Sequence, residues 1–205
     1  EFKRTLAGTQ ALATNSIASK FKSLTSGIGN KIFSNKSKYE GELSSGDIRN
    51  GKGIMYFDNG DIYLGDWKDD LFNGQGVYIF SNNERYVGQL VNGKKNGRGE
   101  FFYNNGNIFR GNWVNDDKNG LGEIEYSNGD YAKGTFEAGL FSGQIRFVYF
   151  NGSVFEGLYR FGKRNGFGRL ENENGTIFEG EWLNDKVHGN GKLILPNDDA
   201  YEGNF

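Results

Sequence analysis

His188 is the only histidine in the 205 residues, and there is no cysteine. A tetrahedral metal site or a thiol nucleophile needs several such ligands or a paired base. His188 therefore reads as structural, with no metal and no cofactor expected. Asp69-Asp70 and Asp116-Asp117 are acid pairs in polar turn-like runs. Calcium would need several more oxygens at fixed spacing, so these pairs read as solvated. Lys94-Lys95 reads as the same kind of turn with opposite sign. Gly-x-Gly triplets abound, but each opens an extended segment, and none continues into a dinucleotide or Lys-Ser/Thr phosphate loop. No nucleophile, base and orienting acid stand together. The chain is expected not to be an enzyme, and catalytic residues are none.

The same glycines define the elements. Gly65, Gly88, Gly111, Gly134, Gly157, Gly180 and Gly203 are spaced 23 apart; so are Gly51, Gly74, Gly97, Gly120, Gly143, Gly166 and Gly189. A third series, Gly53, Gly76, Gly99, Gly122, Gly168 and Gly191, skips only Ile145. One small unit is copied along the chain. Around Gly111, the residues Phe109, Gly111 and Trp113 alternate with Arg110 and Asn112; after a polar run, Gly120, Gly122, Ile124 and Tyr126 alternate with Leu121, Glu123 and Glu125. Period two predicts strands, and Asn-Gly between such runs predicts hairpins. That pair recurs at Asn59-Gly60, Asn105-Gly106, Asn128-Gly129, Asn151-Gly152 and Asn174-Gly175, and both of its residues are expected at positive φ. One strand face gathers glycines and rings, and a ring lying over bare backbone would offset the entropy that glycine costs. The other face mixes charged residues with Ile54, Val77 and Ile79, and reads as solvated. The fold class expected is all-β: an elongated single-layer antiparallel sheet of tandem 23-residue hairpins, on the order of 75 Å long at about 4.8 Å per strand.

Tyr63-Leu64-Gly65-Asp66-Trp67 with Asn73-Gly74-Gln75-Gly76, and Phe178-Glu179-Gly180-Glu181-Trp182 with His188-Gly189-Asn190-Gly191, resemble the MORN repeat (membrane occupation and recognition nexus). The resemblance covers 39–205, seven copies and the start of an eighth. It departs at an extra residue near Ser44-Ser45-Gly46, at Ala132 in place of a ring and at Ile145 in place of glycine. The copy around 132–149 is accordingly expected to bend or to pair differently. The resemblance implies a gutter-shaped sheet and a non-catalytic module of cytoskeletal, ciliary or membrane-contact proteins.

Residues 1–38 do not repeat and form a separate basic segment, with seven basic residues against Glu1; the remainder carries 17 basic and 25 acidic groups. The acidic array argues against nucleic acid. Ile17, Phe21, Leu24 and Ile28 are spaced as a helical stripe, with Lys20, Lys22 and Lys31 off it, and predict a helix over roughly 10–26. Ala13 and Ile32 extend the stripe. Three uses stand open: docking on the chain's own array, docking into another protein, or lying on anionic lipid. The apolar runs are too short to span a membrane. The chain begins at Glu1 and ends inside a copy, which reads as a piece of a longer protein.

The main expectation is a scaffold whose aromatic gutter receives a partner segment at Tyr63, Trp67, Tyr86, Phe109, Trp113, Phe155, Phe178 and Trp182. High asparagine and a single proline fit an AT-rich genome, and with the resemblance they point to a cytoplasmic assembly of the cilium, axoneme or cell cortex. The partners would be other proteins of a large assembly, or copies of the chain through an open strand edge. The alternatives are a peripheral tether on anionic phospholipid and the targeting domain of a larger enzyme such as a lipid kinase.

Overall fold

A computed structural model of the chain describes residues 29–205. These form one antiparallel sheet of sixteen strands in sequence order, with no helix among the described residues. The strands are β1 (Gly29–Ile32), β2 (Lys38–Ser44), β3 (Ile48–Tyr56), β4 (Ile62–Lys68), β5 (Leu71–Ile79), β6 (Arg85–Val91), β7 (Lys94–Phe102) and β8 (Ile108–Val114), then β9 (Asp117–Glu125), β10 (Tyr131–Glu137), β11 (Leu140–Val148), β12 (Val154–Arg160), β13 (Lys163–Glu171), β14 (Ile177–Leu183), β15 (Lys186–Ile194) and β16 (Ala200–Asn204). The described residues divide into two compact units, one ending at Lys94 and the other running from Lys95 to Phe205.

The tight turns are not where Asn-Gly predicts them. Within a copy, two-residue turns join the strands, and both residues take positive φ: Asp69 (49°) and Asp70 (65°), Asn115 (50°) and Asp116 (76°), Asn184 (51°) and Asp185 (70°). This is the geometry whose twist matches the flanking strands. The first copy needs three residues there, 45–47, which absorbs its extra residue. Asn-Gly instead closes five-residue connections between copies, and only the glycine is left-handed, as at Gly60 (φ 89°). The asparagine works through its side chain: Asn59 Oδ1 accepts the Asp61 N–H at 3.0 Å, an Asx turn.

The first glycine of each Gly-x-Gly sits in a bulge. Gly65 pairs with Gly76 and Trp67 with Phe72, so Asp66 faces three residues, 73–75, across the shift. Gly74 takes φ 86° there, and Asp66 Oδ2 accepts the freed Gln75 N–H at 2.9 Å. The second glycine lies under a ring. A methyl at Gly76 would come within 2.5 Å of Tyr63 Cε2, and one at Gly122 within 2.6 Å of Phe109 Cε2.

The copy around 132–149 keeps the common register, with Gly134 opposite Gly122 on one side and Ile145 on the other, and the same shift between Gly134 and Phe136. It does not pair differently. Ala132 and Ile145 are both fully buried: the isoleucine occupies the space that a ring at 132 would take.

Strand structure also begins earlier than expected. β1 pairs with β2, Gly29 opposite Gly41, so Gly29–Ile32 belongs to the array and Ile32 extends a strand, not a helix. The helix expected over 10–26 lies outside the described residues.

Candidate functional site

All eight residues expected to contact a partner are buried: Tyr63, Trp67, Tyr86, Phe109, Trp113, Phe155, Phe178 and Trp182. They are the core of the sheet's ring face, not an open surface. In the first unit Trp67 stands edge-on between Tyr39 and Tyr63, with centroids at 5.2 and 5.3 Å. In the second, Trp182 stands between Phe155 and Phe178 at 5.3 and 5.4 Å. Such edge-to-face pairs add about 0.5–1.5 kcal/mol each beyond area burial. Each tryptophan N–H reaches back to the preceding copy: Trp67 Nε1 to Gly53 O at 3.3 Å, Trp113 Nε1 to Gly99 O at 3.2 Å, Trp182 Nε1 to Gly168 O at 3.3 Å. Tyr39 and Tyr63 donate their hydroxyls to Glu42 O and Asp66 O, both at 2.8 Å. Burial pushes the Tyr39 phenol up to about 12.

The accessible part of this face is a second rank of half-buried rings near the five-residue connections. In the first unit these include Phe57 and Tyr78, 5.9 Å apart, joined by Phe72, which enters from the tight-turn end and lies 6.2 Å from Phe57. In the second they include Tyr126, Phe147 and Tyr149, with Phe147 5.7 Å from Tyr126 and 4.6 Å from Tyr149. Phe57, Tyr126 and Tyr149 share one position of the 23-residue repeat, and Tyr78 and Phe147 share another, which is the signal that would have found them. Beside them, side chains of one connection accept backbone N–H groups of the next. Asp61 Oδ1 takes the Ser81 N–H at 2.8 Å, Asn107 Oδ1 that of Ser127 at 2.9 Å and Asp130 Oδ1 that of Phe150 at 2.8 Å. Burial opposes charge on Asp61, but donors from Ser81, Tyr78 and Asn59 outweigh it and hold the carboxyl below its ordinary range.

The other end of the face carries cations, among them Lys95, which is expected from the sequence in a polar turn. Arg49 lies 4.3 Å from the Trp67 ring centroid and pairs with Asp70 at 2.7 Å. Lys95 lies 5.0 Å from Trp113 and pairs with Asp116 at 3.5 Å. Arg164 lies 4.2 Å from Trp182 and pairs with Asp185 at 3.4 Å. Hydrogen bonds from Arg49 hold the Asp70 carboxyl below its ordinary range. Asp70 and Asp116 are thus anchors, not idle solvated acids. His188 is an exposed residue of β15 beside the bulge at Gly189. Among the described residues no three His, Cys, Asp or Glu side chains cluster for a metal, and no helix there is long and apolar enough to cross a membrane.

The opposite face differs between the units. In the second, one cross-strand row reads Glu100, Arg110, Glu123, then Arg146, Glu156, Arg169, Glu179, with ion pairs such as Arg146–Glu156 at 2.7 Å and Arg169–Glu179 at 3.0 Å. This is the solvated face expected, and such pairs contribute little. In the first unit the row is Ile54, Leu64, Val77, Val87, and Ile54 and Leu64 are fully buried. Of the residues expected to dock or to bind lipid, only Lys31 is described: it is in β1 and donates to Asp47 O at 3.1 Å. Ile17, Lys20, Phe21, Lys22, Leu24 and Ile28 lie outside the described residues.

A repeat of rings over glycines, tryptophans bonded one copy back and bulge glycines at fixed period defines a tandem hairpin module. The MORN repeat model matches residues 39–62, 63–85, 86–108, 109–131, 155–177 and 178–200. The chain belongs to the MORN-repeat family, whose arrays are protein-interaction and scaffold modules. The stretch left unmatched between these copies, 132–154, is the copy with Ala132 and Ile145. Among curated proteins none matches. Solved structures that align with this chain include the TCP domain of Drosophila melanogaster SAS-4 (dCPAP), in complex with a proline-rich motif of Ana2 (dSTIL): 11% identity, 85% of this chain and 88% of that one covered, TM-score 0.48. The G-box domain of the microcephaly protein CPAP matches at 11% identity over 86% of this chain and 97% of that one, TM-score 0.44.

Proposed function

We propose that the chain is a non-catalytic scaffold that takes a protein partner on its ring face, within a cytoskeletal assembly of the cilium or cell cortex. The observation that carries this reading is the rank of half-buried rings, Phe57, Phe72 and Tyr78 in one unit and Tyr126, Phe147 and Tyr149 in the other. They keep an exposed edge over a fixed core, and rigid aromatics of that kind dominate interface energies. The test is capture from native source, with partners quantified by mass spectrometry. Phe57→Gln and Tyr149→Gln are expected to lower capture of the specific partners on the order of tenfold while melting within a few degrees of the parent chain. Unchanged capture would remove the ring face from consideration.

A second reading concerns the basic segment, taken in the sequence as a part separate from the array. Complete burial of Ile54 and Leu64, on a face that carries charges elsewhere, supports docking of the stripe Ile17, Phe21, Leu24 and Ile28 over the Ile54–Val87 row. Deleting residues 1–28 is expected to shift the Ile54 and Leu64 methyl resonances and to speed amide exchange in β3 and β4. If neither changes, the stripe is free for another protein, or for vesicles containing phosphatidylserine, on which the full chain would then float at low salt.

A further inference from the structure

Seven equivalent positions open the second strands of the copies: Arg49, Phe72, Lys95, Lys118, Phe141, Arg164 and Val187. Each faces the bulky residue of the preceding strand, as Arg49 faces Leu43, Phe72 faces Trp67 and Lys118 faces Trp113. A turn residue 21 positions later sits against most of them. It donates its backbone N–H to the carbonyl there: Asp70 to Arg49 (3.1 Å), Gly93 to Phe72 (2.9 Å), Asp116 to Lys95 (3.0 Å), Gly139 to Lys118 (2.9 Å), Gly162 to Phe141 (2.9 Å) and Asp185 to Arg164 (3.1 Å). Hairpin and strand are docked the same way each time.

The side chains follow a rule. Where the strand residue is phenylalanine, the turn residue is glycine. Where it is Arg49, Lys95 or Arg164, the turn residue is aspartate. That carboxylate takes both the cation and the backbone N–H of the same residue: Arg49 N at 3.0 Å, Lys95 N at 2.9 Å, Arg164 N at 2.9 Å. Lys118 alone breaks the rule, with Gly139 opposite it. The ammonium lies 5.2 Å from the Phe109 centroid, 5.4 Å from Tyr103 and 5.9 Å from Phe136. A side chain grown from Gly139 would meet nothing within 4 Å. Burial lowers the Lys118 pKa below its ordinary value, and no anion offsets it. A desolvated cation on rings, with open space where its equivalents hold a carboxylate, is complementary to an anionic side chain.

We propose that Lys118 and the open space at Gly139 form a slot for an aspartate or glutamate side chain of a protein partner, which takes the place that Asp70, Asp116 and Asp185 take in their own copies. The inference rests on the interaction-module reading and specifies part of that partner's chemistry. An acidic side chain fits better than a phosphate headgroup, because each occupied equivalent binds one carboxylate oxygen to a cation and an N–H, among apolar rings.

The experiment follows the Lys118 side-chain resonances of the whole chain. Gly139→Asp supplies the carboxylate from within, at a backbone angle that Asp70, Asp116 and Asp185 already adopt. It is expected to move the Lys118 signals toward those of Lys95 without lowering the melting temperature. Hexa-aspartate, the probe, is expected to shift Lys118 saturably in the parent chain and at least tenfold more weakly in Gly139→Asp and Lys118→Met. An equal response in Gly139→Asp, or Lys118 signals unmoved by that substitution, would overturn the slot. So would a Lys118 response to phosphoinositide vesicles with none to the peptide. A peptide response at Lys118, with partner capture intact in Phe57→Gln and Tyr149→Gln, would keep the slot and remove only the ring-face reading.

Discussion

Ile145→Gly is expected to loosen the hairpin of β10 and β11 severely, and Ala132→Phe added to it is expected to restore most of the loss. In the copies with a ring at this position, that ring covers a pair of glycines, as Tyr63 covers Gly65 and Gly76. Here Ala132 provides no ring and Ile145 fills the void from the neighbouring strand, packed with Phe155 and Tyr159. Removing the isoleucine leaves a cavity and a more flexible backbone, which together cost about 3–5 kcal/mol. Ala132→Phe alone drives a ring into an occupied space and costs about 1–3 kcal/mol. Together they recreate the arrangement seen at Phe109 and Gly122, so the coupling should reach about 3 kcal/mol, the upper range for residues in contact. Repeat arrays need not unfold in one step, so the measurement is amide exchange in β10–β12 alongside urea unfolding. Additive losses would show that the two substitutions are independent, and that the exchange of ring for isoleucine is not compensation.

Period, strand pairing and the ring-over-glycine face could be read from the sequence because they depend on residue size and alternation alone. Three features could not. Asn59-Gly60 and Asp69-Asp70 are both polar pairs between apolar runs, and composition does not tell which is the two-residue turn; the structure gives it to Asp-Asp because both residues there sit at positive φ. β1 was hidden by one extra residue in the first copy. Gly27 and Gly29 stand 24 before Gly51 and Gly53, one off the period. The site was half legible: the eight rings lie on the face assigned to them, but a single layer suggested they were open. Burial comes from tryptophans wedged between rings of successive copies, which alternation cannot reveal. The carboxylate rule was visible as Arg or Lys at 49, 95 and 164 with Asp 21 residues on. It went unread because charged turn residues usually face water.

Burial of the first rank reverses the result that an open gutter would give for Trp113→Ala. With an open gutter, the variant would lose its partner and stay folded. In this structure Trp113 is buried, stands at 90° to Phe109 with centroids 5.2 Å apart, donates to Gly99 O and lies under the Lys95 ammonium. Truncation removes all of these and leaves the Gly99 carbonyl without the indole N–H. The expected cost is about 3–5 kcal/mol from cavity and lost burial, with about 0.5–1.5 kcal/mol more from the ring pair. Trp113→Phe keeps a ring and loses mainly the hydrogen bond, so its cost should be nearer 1 kcal/mol. Near-ultraviolet dichroism and proteolysis at β7–β9 should register both in that order. Partner capture by Trp113→Ala should fall only as far as the folded fraction falls, whereas Tyr149→Gln should lower capture on the order of tenfold while melting within a few degrees of the parent. A Trp113→Ala chain that melts like its parent yet captures nothing would restore the first rank as the contact surface, and the half-buried rings would then be its rim.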